Sequence, residues 1–343
     1  MSSVLFERHG RLGVATLNRP EAINALNHEM VIALQSQLDA WRDDAAVHTV
    51  VLTGAGDRGL CAGGDIVSIY EDAKQGGTGS VDFWRDEYLL DAMIARYPKP
   101  VVAIMDGIVL GGGIGLAAHA SHRIVTEKSS VGLPETTIGF VPDVGGTYLL
   151  SRAPGELGTH LALTAGSIDG ADAIAIGFAD SFVARESLPA LLAALETQPV
   201  EEAIAAFAVE PPASGLILQR GWVDAAYAGD DLATILDRLD AAGGEPAVKA
   251  AATIRRKSPT ALHVTLAALR RARALPDLES VLDQEFRVSV RSLGWHDLAE
   301  GIRAQVIDKD RDPRWDPAGI DEVDAESVRQ VFDPLEDELG LAR

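Results

Sequence analysis

The chain has 343 residues, of which 47% are hydrophobic and 24% are charged, so it can bury a substantial core and has the composition of a globular protein. Its 30 Lys and Arg residues are outnumbered by 51 Asp and Glu residues, which gives a net charge of −21. This charge argues against nucleic acid as a partner, because it would repel a phosphate backbone. A small anionic ligand is still compatible with it, because screening beyond about 8 Å at physiological salt leaves local groups to decide its binding.

Cysteine content and the apolar pattern indicate the compartment. The single cysteine, Cys61, cannot form a disulfide within the chain and fits a reducing compartment, where a small buried side chain is its simplest interpretation. The first residues contain no long apolar segment of the secretory type, and no run approaches about 18 apolar residues free of charge. We therefore predict a cytoplasmic protein without a membrane partner.

The first part of the chain alternates strand-like and helical patterns. Runs at 4–8 and 11–17 are rich in β-forming residues and flank a His-Gly pair, which predicts a hairpin. Asn27 can cap a helix that ends near residue 44, and the nearly all-apolar run 48–52 predicts a buried strand. The apolar positions of that helix recur at helical spacing: Met30, Val31, Leu34, Leu38 and Trp41.

Two glycine-rich segments bear on nucleotide binding. Segment 54–59 matches the pattern GxGxxG, but a dinucleotide fingerprint requires a helix that opens on the third glycine, and residues 60–65 continue as a loop. A second near match at 113–118 follows a strand-like run, but residues 106–112 separate the strand from the glycines where a tight turn is needed. Nicotinamide binding is therefore disfavoured.

After residue 65 the sequence first alternates between helical and strand-like patterns and later becomes mainly helical. From residue 186 onward strand signals largely stop and amphipathic helical patterns dominate. This shift predicts an α/β core over 1–185 followed by a helical region over 186–343. Within the core after residue 65, the predicted elements are helices at 66–74 and 81–96, short helices within 146–165 and 170–177, and a last strand at 179–183.

The stretch 132–146 places two carboxylates, Glu135 and Asp143, among apolar residues and backbone breakers. Pro142 lacks an amide hydrogen and disfavours helix at the residue before it, so one continuous helix is not expected to carry both acids. Two short elements meeting at a turn would aim both acids at one point. Burial and a neighbouring carboxylate would each favour the neutral form, which suits general acid and base work. An ordinary loop with two solvated acids is the alternative.

Two further glycine runs, 63–64 and 111–113, share one physical property. Because glycine has no Cβ, a ligand can closely approach the amides of such runs. Two backbone N–H groups that converge on one oxygen form an oxyanion hole, in which each donor is typically worth about 3 to 4 kcal/mol. A helix that starts near Gly112 would add its positive end. Turns and tight backbone packing would explain either run alone.

These segments occur in an order that resembles the crotonase (enoyl-CoA hydratase/isomerase) superfamily, and the resemblance covers most of the chain. It implies an α/β fold, a spiral of ββα units with a helical C-terminal part. It also implies that the amides of Gly64 and Gly112 are the oxyanion donors and that the ligand is an acyl-CoA thioester. Coenzyme A is then part of the substrate, with no further cofactor and no metal. The matching motifs are 18–20 (Asn-Arg-Pro), 24–26 (Asn-Ala-Leu), 61–66 (Cys-Ala-Gly-Gly-Asp-Ile), 106–113 (Asp-Gly-Ile-Val-Leu-Gly-Gly-Gly) and 134–135 (Pro-Glu).

Within the superfamily the chain is most similar to the 3-hydroxyisobutyryl-CoA hydrolase branch, which serves valine breakdown. Typical hydratases carry a second catalytic glutamate three residues after the oxyanion glycine, whereas this place is Gly115 here, and position 143 is commonly glycine in hydratases. The resemblance therefore implies a hydrolase of a short-chain 3-hydroxyacyl-CoA. The segments similar to this branch are 134–146, 300–310, 313–315 (Pro-Arg-Trp) and 86–88 (Asp-Glu-Tyr) ahead of 98–100 (Pro-Lys-Pro).

The same resemblance implies roles for individual residues. Glu135 would attack the thioester carbonyl or activate a water. Asp143 would take part in the proton transfers of Glu135 or orient the acyl hydroxyl. Glu87 would accept a hydrogen bond from that hydroxyl, which would favour 3-hydroxyacyl groups. Arg58 is the candidate for binding the CoA phosphates. A solvated helix acid and an exposed arginine are the alternatives for Glu87 and Arg58.

Two other functions are compatible with the sequence, and two further classes of hydrolase are disfavoured by missing motifs. An enoyl-CoA hydratase or isomerase with one working carboxylate is the nearest alternative, and a non-catalytic acyl-CoA binder is another, because function resides in the site and not in the fold. A metal hydrolase is disfavoured because His119 and His122 lack an HExxH pattern, and a serine thioesterase because no GxSxG occurs. Acyl-chain specificity, protonation of the Glu135 and Asp143 pair, and a homo-oligomeric state are open at this stage.

Overall fold

A computed structural model of the chain describes residues 2–342 and divides into two compact units. Unit 1 consists of the described residues up to Gly64, Asp86–Gly132 and Ser167–Gly215. Unit 2 consists of Asp65–Arg85, Leu133–Gly166 and the described residues from Leu216 onward. Because each unit combines three segments, the units do not coincide with the predicted division into 1–185 and 186–343, which stays a prediction.

The strands all belong to unit 1. Within residues 2–342 they are β1 (Val4–His9), β2 (Leu12–Leu17), β3 (Thr49–Gly54), β4 (Gly59–Cys61), β5 (Val101–Met105), β6 (Ile108–Leu110), β7 (His122–Val125), β8 (Ser130–Gly132), β9 (Ser167–Ile168), β10 (Ser181–Val183) and β11 (Ala208–Val209).

The helices are distributed over both units. In the described part of the chain they are α1 (His28–Asp43), α2 (Ile66–Gln75), α3 (Gly79–Ala95), α4 (Gly112–Ala118), α5 (Gly146–Arg152), α6 (Leu157–Thr164), α7 (Gly170–Ala175), α8 (Leu188–Leu195), α9 (Val200–Phe207), α10 (Gly215–Leu218), α11 (Arg220–Ala226), α12 (Leu232–Ala242), α13 (Glu245–Ile254), α14 (Pro259–Ala272), α15 (Leu278–Ser292), α16 (His296–Ile302) and α17 (Ala325–Gln330). A short 3₁₀ helix, Glu135–Ile138, lies between β8 and α5.

Unit 1 contains two sheets whose strands alternate along the chain. The larger sheet has the order β1-β2-β3-β5-β7-β10-β11, and the smaller has the order β4-β6-β8-β9. From β3 to β8 the strands enter the larger and the smaller sheet in turn, always as parallel neighbours, and helices follow each pair of strands. This arrangement is a spiral of ββα units, so the predicted crotonase-like α/β fold is confirmed.

The parallel strands are apolar because both of their faces are covered. All five residues of β5 are buried, and the larger sheet packs against α8 and α9. Complete burial of one aliphatic side chain stabilises a fold by about 1.5 to 3 kcal/mol, so this cluster holds the sheet firmly. Its buried members are Leu12, Val51, Val102, Ile104, Ile124, Val183, Leu188, Leu191, Leu195, Val200, Ala203 and Ile204.

Helix α1 shows how local sequence produces an element. The side chain of Asn27 accepts a hydrogen bond of 2.9 Å from the amide of Met30, which satisfies a donor of the first helical turn. All five apolar residues predicted to form its inner face are buried. The predictions of α1, of the β1-β2 hairpin and of the helices α2 to α7 are confirmed.

Two predicted features are wrong in detail. Residues 60–65 were expected to form a loop, but Gly59–Cys61 is a strand, because its backbone pairs with β6. The strand near 179–183 was expected to be the last one, but Ala208–Val209 pairs antiparallel with it. In the part of the chain that the structure describes, no helix is both long and apolar enough to cross a membrane.

Candidate active site

In unit 1, the first glycine run lies directly after β4. Gly63 has φ +107°, in the left-handed region that favours glycine, and its carbonyl accepts a hydrogen bond of 2.8 Å from the amide of Leu26. Gly64 forms a parallel bridge with the same Leu26. A Cβ placed on Gly63 would lie 3.5 Å from the carbonyl oxygen of Leu110 and 3.9 Å from the amide nitrogen of Gly112. The fold of unit 1 therefore brings the two predicted glycine runs together.

The second glycine run forms the start of α4. Gly111 has φ +49° and turns the chain out of β6, so that Gly112 is the first residue of the helix, as predicted. The N–H groups in the first turn of a helix are not used within the helix, and they carry its partial positive charge. Every residue of Gly112–Ala118 is buried. The amide of Gly112 is therefore a donor in a shielded environment.

Helix α3 carries two buried acids next to this run. The side chains of Glu87 and Asp91 are one helical turn apart, and the residues are only 2% and 0% exposed. A Cβ placed on Gly112 would collide with Oε1 of Glu87, and a Cβ placed on Gly115 would lie 2.6 and 2.7 Å from the two carboxylate oxygens of Asp91. The alternative interpretation of Glu87 as a solvated acid is wrong.

Asp91 was missed by the sequence analysis. Its spacing of four residues from Glu87 was the available signal, because residues i and i+4 share one face of a helix. The identity of residue 115 could have supported it, because a buried acid that contacts the backbone of α4 leaves no space for a side chain there. Asp91 and Gly115 therefore depend on each other sterically.

Arg58 lies on the surface of unit 1, in the loop between β3 and β4. Its side chain is exposed and donates a hydrogen bond of 3.3 Å to the carbonyl oxygen of Glu21. Its own carbonyl accepts a hydrogen bond of 3.0 Å from the amide of Ile108. The guanidinium group is accessible to an anion, and its predicted role in binding CoA phosphates stays a prediction.

In unit 2, Glu135 and Asp143 lie on two different short elements. Glu135 is the first residue of the 3₁₀ helix, which ends at Ile138 and is followed by Gly139 in a left-handed conformation with φ +71°. Asp143 lies beyond Pro142 in a turn, where its carbonyl accepts a hydrogen bond of 2.6 Å from Gly146, the first residue of α5. The prediction that no continuous helix carries both acids is confirmed.

Both acids are buried. Glu135 is 6% exposed and Asp143 is 5% exposed, so the alternative of two solvated loop acids is wrong. Between them, the ring of Phe140 stacks on that of Trp84 with a centroid distance of 5.5 Å and an interplanar angle of 12°. This aromatic contact between two buried rings stabilises the middle of the loop.

The turn after Asp143 is bound by a third acid of unit 2, Glu285 of α15. Its Oε2 accepts a hydrogen bond of 2.6 Å from the amide of Gly145. Its Oε1 accepts bonds of 2.8 and 2.5 Å from the amide and the hydroxyl group of Thr147. Glu285 is 1% exposed, and this burial raises its pKa to about 8, although the hydrogen bonds it accepts oppose the change.

Glu285 was also missed by the sequence analysis, although a signal existed. Leu278, Val281 and Leu282 lie seven, four and three residues before it, which is the spacing of one helical face. All three are buried. An acid at the next position of a buried face is costly unless donors satisfy it, so its presence indicates a specific partner.

The predicted site residues thus fall into two groups. In unit 1, the structure brings Gly64, Gly112 and Glu87 into one neighbourhood, with Arg58 on the surface. In unit 2, Glu135 and the loop of Asp143 are buried on consecutive short elements. The joint action of both groups on one acyl group stays a prediction.

Comparisons with known proteins agree on the family and differ in the reactions that they name. The family model described as enoyl-CoA hydratase/isomerase matches residues 12–332. A Gallus gallus protein named 3-hydroxyisobutyryl-CoA hydrolase, mitochondrial, is 38% identical over 97% of this chain and 89% of its own length.

Two solved structures are similar over almost their whole length. A carnitinyl-CoA dehydratase from Mycobacterium thermoresistibile is 50% identical with a TM-score of 0.97 and covers 100% of this chain and 99% of its own. An enoyl-CoA hydratase from Rhodobacter sphaeroides 2.4.1 is 42% identical with a TM-score of 0.92 and covers 97% and 98% of the two chains. The similarity is thus strong throughout, while the names include a hydrolase, a dehydratase and a hydratase.

Proposed function

This chain belongs to the enoyl-CoA hydratase/isomerase family, and from that premise we propose that it is a thioester hydrolase whose substrate is 3-hydroxyisobutyryl-CoA, an intermediate of valine breakdown. The name of the Gallus gallus relative supports this substrate. That name also places the relative in mitochondria, whereas the cytoplasmic location of this chain stays a prediction. The choice between hydrolysis and hydration is made by the acids of the site.

The observation that carries the proposal is the packing at Gly115. A hydratase of this family is expected to carry a glutamate there, but the carboxylate oxygens of Asp91 would lie only 2.6 and 2.7 Å from a Cβ at 115, which is too close unless Asp91 moves. Asp91 does not replace such a glutamate, because its carboxylate is held against the backbone of α4, whereas a glutamate carboxylate would extend two bonds further. Glu135 and Asp143 then supply the acid and base, and one pair suffices for hydrolysis.

The proposed reaction adds water across the C–S bond of the thioester. An oxygen nucleophile bonds to the carbonyl carbon, and the π electrons of the carbonyl group move onto the acyl oxygen. The amides of Gly64 and Gly112 donate hydrogen bonds to this oxygen, and such donors are typically worth about 3 to 4 kcal/mol each in the transition state. When the carbonyl re-forms, the C–S bond breaks and the sulfur of CoA takes the electron pair and then a proton.

Glu135 has the principal role in one of two forms. As a nucleophile, its carboxylate would form an anhydride with the acyl group, which water then hydrolyses. As a general base, it would remove a proton from the attacking water. In either form, Asp143 would exchange the proton that the leaving sulfur requires. Burial of both acids supports these roles, because it shields the reacting groups from bulk water.

Glu87 is proposed to select the acyl group. Its carboxylate lies beside Gly112, so an acyl chain bound at this amide would present its 3-hydroxyl group near Glu87. A buried carboxylate accepts a hydrogen bond strongly, and a substrate without the hydroxyl group would not form this bond. The hydroxyl group at C3 would therefore contribute to the selection of the substrate.

Release of thiol tests the proposal directly. Purified protein is incubated separately with 3-hydroxyisobutyryl-CoA and with crotonyl-CoA, and free thiol and the enoyl absorbance are both measured. We expect thiol from the first ester and an unchanged absorbance with the second. The one cysteine of the chain does not contribute, because burial raises the pKa of the Cys61 thiol to about 12.

A hydro-lyase is the second candidate, favoured by the names of the two similar solved structures. It would consume the double bond of crotonyl-CoA without releasing thiol. That result would replace the hydrolase proposal. Binding of both esters without either reaction would instead assign the chain as an acyl-CoA binding protein.

A further inference from the structure

Glu285 is a buried acid of unit 2 that the proposed reaction does not use. Its carboxylate accepts three hydrogen bonds, and all three donors belong to Gly145 and Thr147, just after Asp143. Both of its oxygens are engaged with the same turn. A buried carboxylate is expensive unless it is satisfied in this way, so the position of Glu285 and the shape of the turn depend on each other.

The turn itself is in a conformation that needs support. Val144 has φ +54°, which is rare for a β-branched residue, and Gly145 follows with φ +75°. Such strained backbone persists only where the surroundings determine it, and it is concentrated at functional sites. The residue before these two is Asp143, whose carbonyl accepts the hydrogen bond from Gly146 that closes the turn.

We propose that Glu285 is a positioning residue, whose carboxylate holds the strained turn 143–147 and thereby orients Asp143 for proton transfer. The inference rests on the proposed function, in which Asp143 exchanges a proton with the leaving sulfur. Glu285 does not contact the substrate in this scheme. Its effect reaches the reaction through the backbone of one turn.

The central test replaces Glu285 with glutamine. At a pH above about 8, where Glu285 is ionised, the E285Q side chain keeps one acceptor oxygen but turns an amide group towards a backbone donor, so one side of the turn is released. We expect kcat to fall about 10- to 100-fold with KM changed less than about twofold, since misplacement of a catalytic group by about 1 Å has effects of this size. Faster amide hydrogen exchange is expected at residues 145 and 147.

Asp283 provides a matched control on the same helix. Its two carboxylate oxygens each accept a hydrogen bond of 2.9 Å, from the amides of Leu341 and Ala342. Asp283→Asn therefore also replaces a carboxylate of α15 that binds two backbone amides, but in a different segment. We expect the variant to lose thermal stability to a similar extent and to keep the kcat and the hydrogen exchange of the turn.

A double-mutant cycle with Asp143→Asn separates positioning from general damage. If Glu285 acts through Asp143, E285Q should change kcat less than about twofold once Asp143 is replaced, whereas a purely structural effect would be multiplied in full. A full multiplicative loss would overturn the inference. So would a normal kcat in E285Q together with a reduced kcat in D143N.

Thr147 keeps the inference testable if E285Q does not fold. Thr147→Val removes the hydroxyl donor to Glu285 at almost constant volume, and Thr147→Ser retains it. We expect a several-fold lower kcat in T147V than in T147S, while equal values would overturn the inference. If the wild-type protein releases no thiol, the proposed function fails, and hydrogen exchange alone then decides whether Glu285 holds the turn.

Discussion

The acids of the two units are placed by different physical means. In unit 1, Glu87 and Asp91 are carried by one regular helix and fit against glycines of α4, so their positions depend on steric fit. In unit 2, Asp143 precedes a strained turn whose amides donate hydrogen bonds to Glu285. Substitutions in unit 1 should therefore affect the protein mainly when they change the volume of a side chain. Substitutions in unit 2 should affect it mainly when they change charge or hydrogen bonding.

The largest effect is expected from a change of charge in unit 2. Glu135→Gln keeps the size of the side chain and removes its capacity to act as a nucleophile or base. We expect kcat to fall by at least about 100-fold, as is usual for the loss of a general base or nucleophile, with a nearly normal KM. Steady-state thiol release measures both constants.

The route of the Glu135 reaction can be measured in the same system. Single turnovers of the wild-type protein in ¹⁸O-labelled water place the label in the Glu135 carboxylate only if it is the nucleophile and water opens the anhydride at the Glu135 carbonyl carbon. In the general-base route the label enters the product acid alone, so a labelled Glu135 would establish the nucleophilic route. A near-normal kcat in E135Q would remove Glu135 from the mechanism in either form.

Stability should depend on pH through Glu285. Its pKa is raised by burial from an ordinary 4.5 to about 8, so between these values the folded protein keeps a proton that the unfolded chain releases. This contribution to stability is complete below about pH 4.5 and is lost as the pH rises towards 8, with a size on the order of a few kcal/mol. Thermal unfolding at several pH values should show the slope in the wild-type protein.

Comparison with E285Q isolates this contribution, because glutamine does not titrate. Burial lowers the pKa of His160 to about 4, and this and other groups affect both proteins equally. The difference in melting temperature between wild type and E285Q should therefore change in favour of E285Q as the pH rises from about 5 to 8. A constant difference would mean that Glu285 is already ionised throughout this range.

In unit 1, the role of steric fit is tested better by a change in side-chain volume than by a change in charge. Gly115→Ala places a methyl group 2.6 Å from a carboxylate oxygen of Asp91, which is closer than atoms can pack. We expect a loss of about 1 to 3 kcal/mol in the free energy of unfolding, the usual cost of overpacking a core. Asp91→Ala in the same chain should recover part of this loss, because it clears the space.

Gly221 supplies the control for that substitution. It also lies in a helix, α11, but among the described residues no atom would come within 4 Å of an added Cβ. Gly221→Ala should therefore be neutral or stabilising by about 0.5 to 1 kcal/mol. If G115A behaves like G221A, the steric account of unit 1 is wrong.

The contrast between the units also explains what the sequence could predict. Helix α1 was predictable because its cap and its apolar spacing are local. Glu135, Asp143 and Gly112 could be proposed as site residues because they lie in short motifs. Strand β11 has two residues, too few for a periodic pattern, and it exists because it pairs with β10. Non-local pairing leaves little trace in a single sequence.

The same reason accounts for the two acids that were missed. Glu285 is separated from Gly145 by 140 residues, so no local pattern connects the acid to the turn that it binds. Asp91 contacts a glycine, and the identity of its partner is visible in the sequence only as a missing side chain. Each acid could be suspected from its place on a helical face, but its partner required the fold.

The smallest effect on activity is expected from a substitution of Glu87, whose side chain depends both on steric fit and on its charge. Glu87→Gln conserves volume, so the contact with Gly112 and the stability of unit 1 should be retained. The lost charge weakens a hydrogen bond to the 3-hydroxyl group, which we expect to lower kcat/KM for 3-hydroxyisobutyryl-CoA roughly tenfold, in line with about 1.5 kcal/mol for a hydrogen bond to a charged group. For isobutyryl-CoA, which lacks this hydroxyl group, kcat/KM should change little or rise. An equal fall in kcat/KM for both esters would show that Glu87 contributes to the reaction itself and does not recognise the hydroxyl group. Steric fit would then not be a sufficient explanation of the role of Glu87 in unit 1.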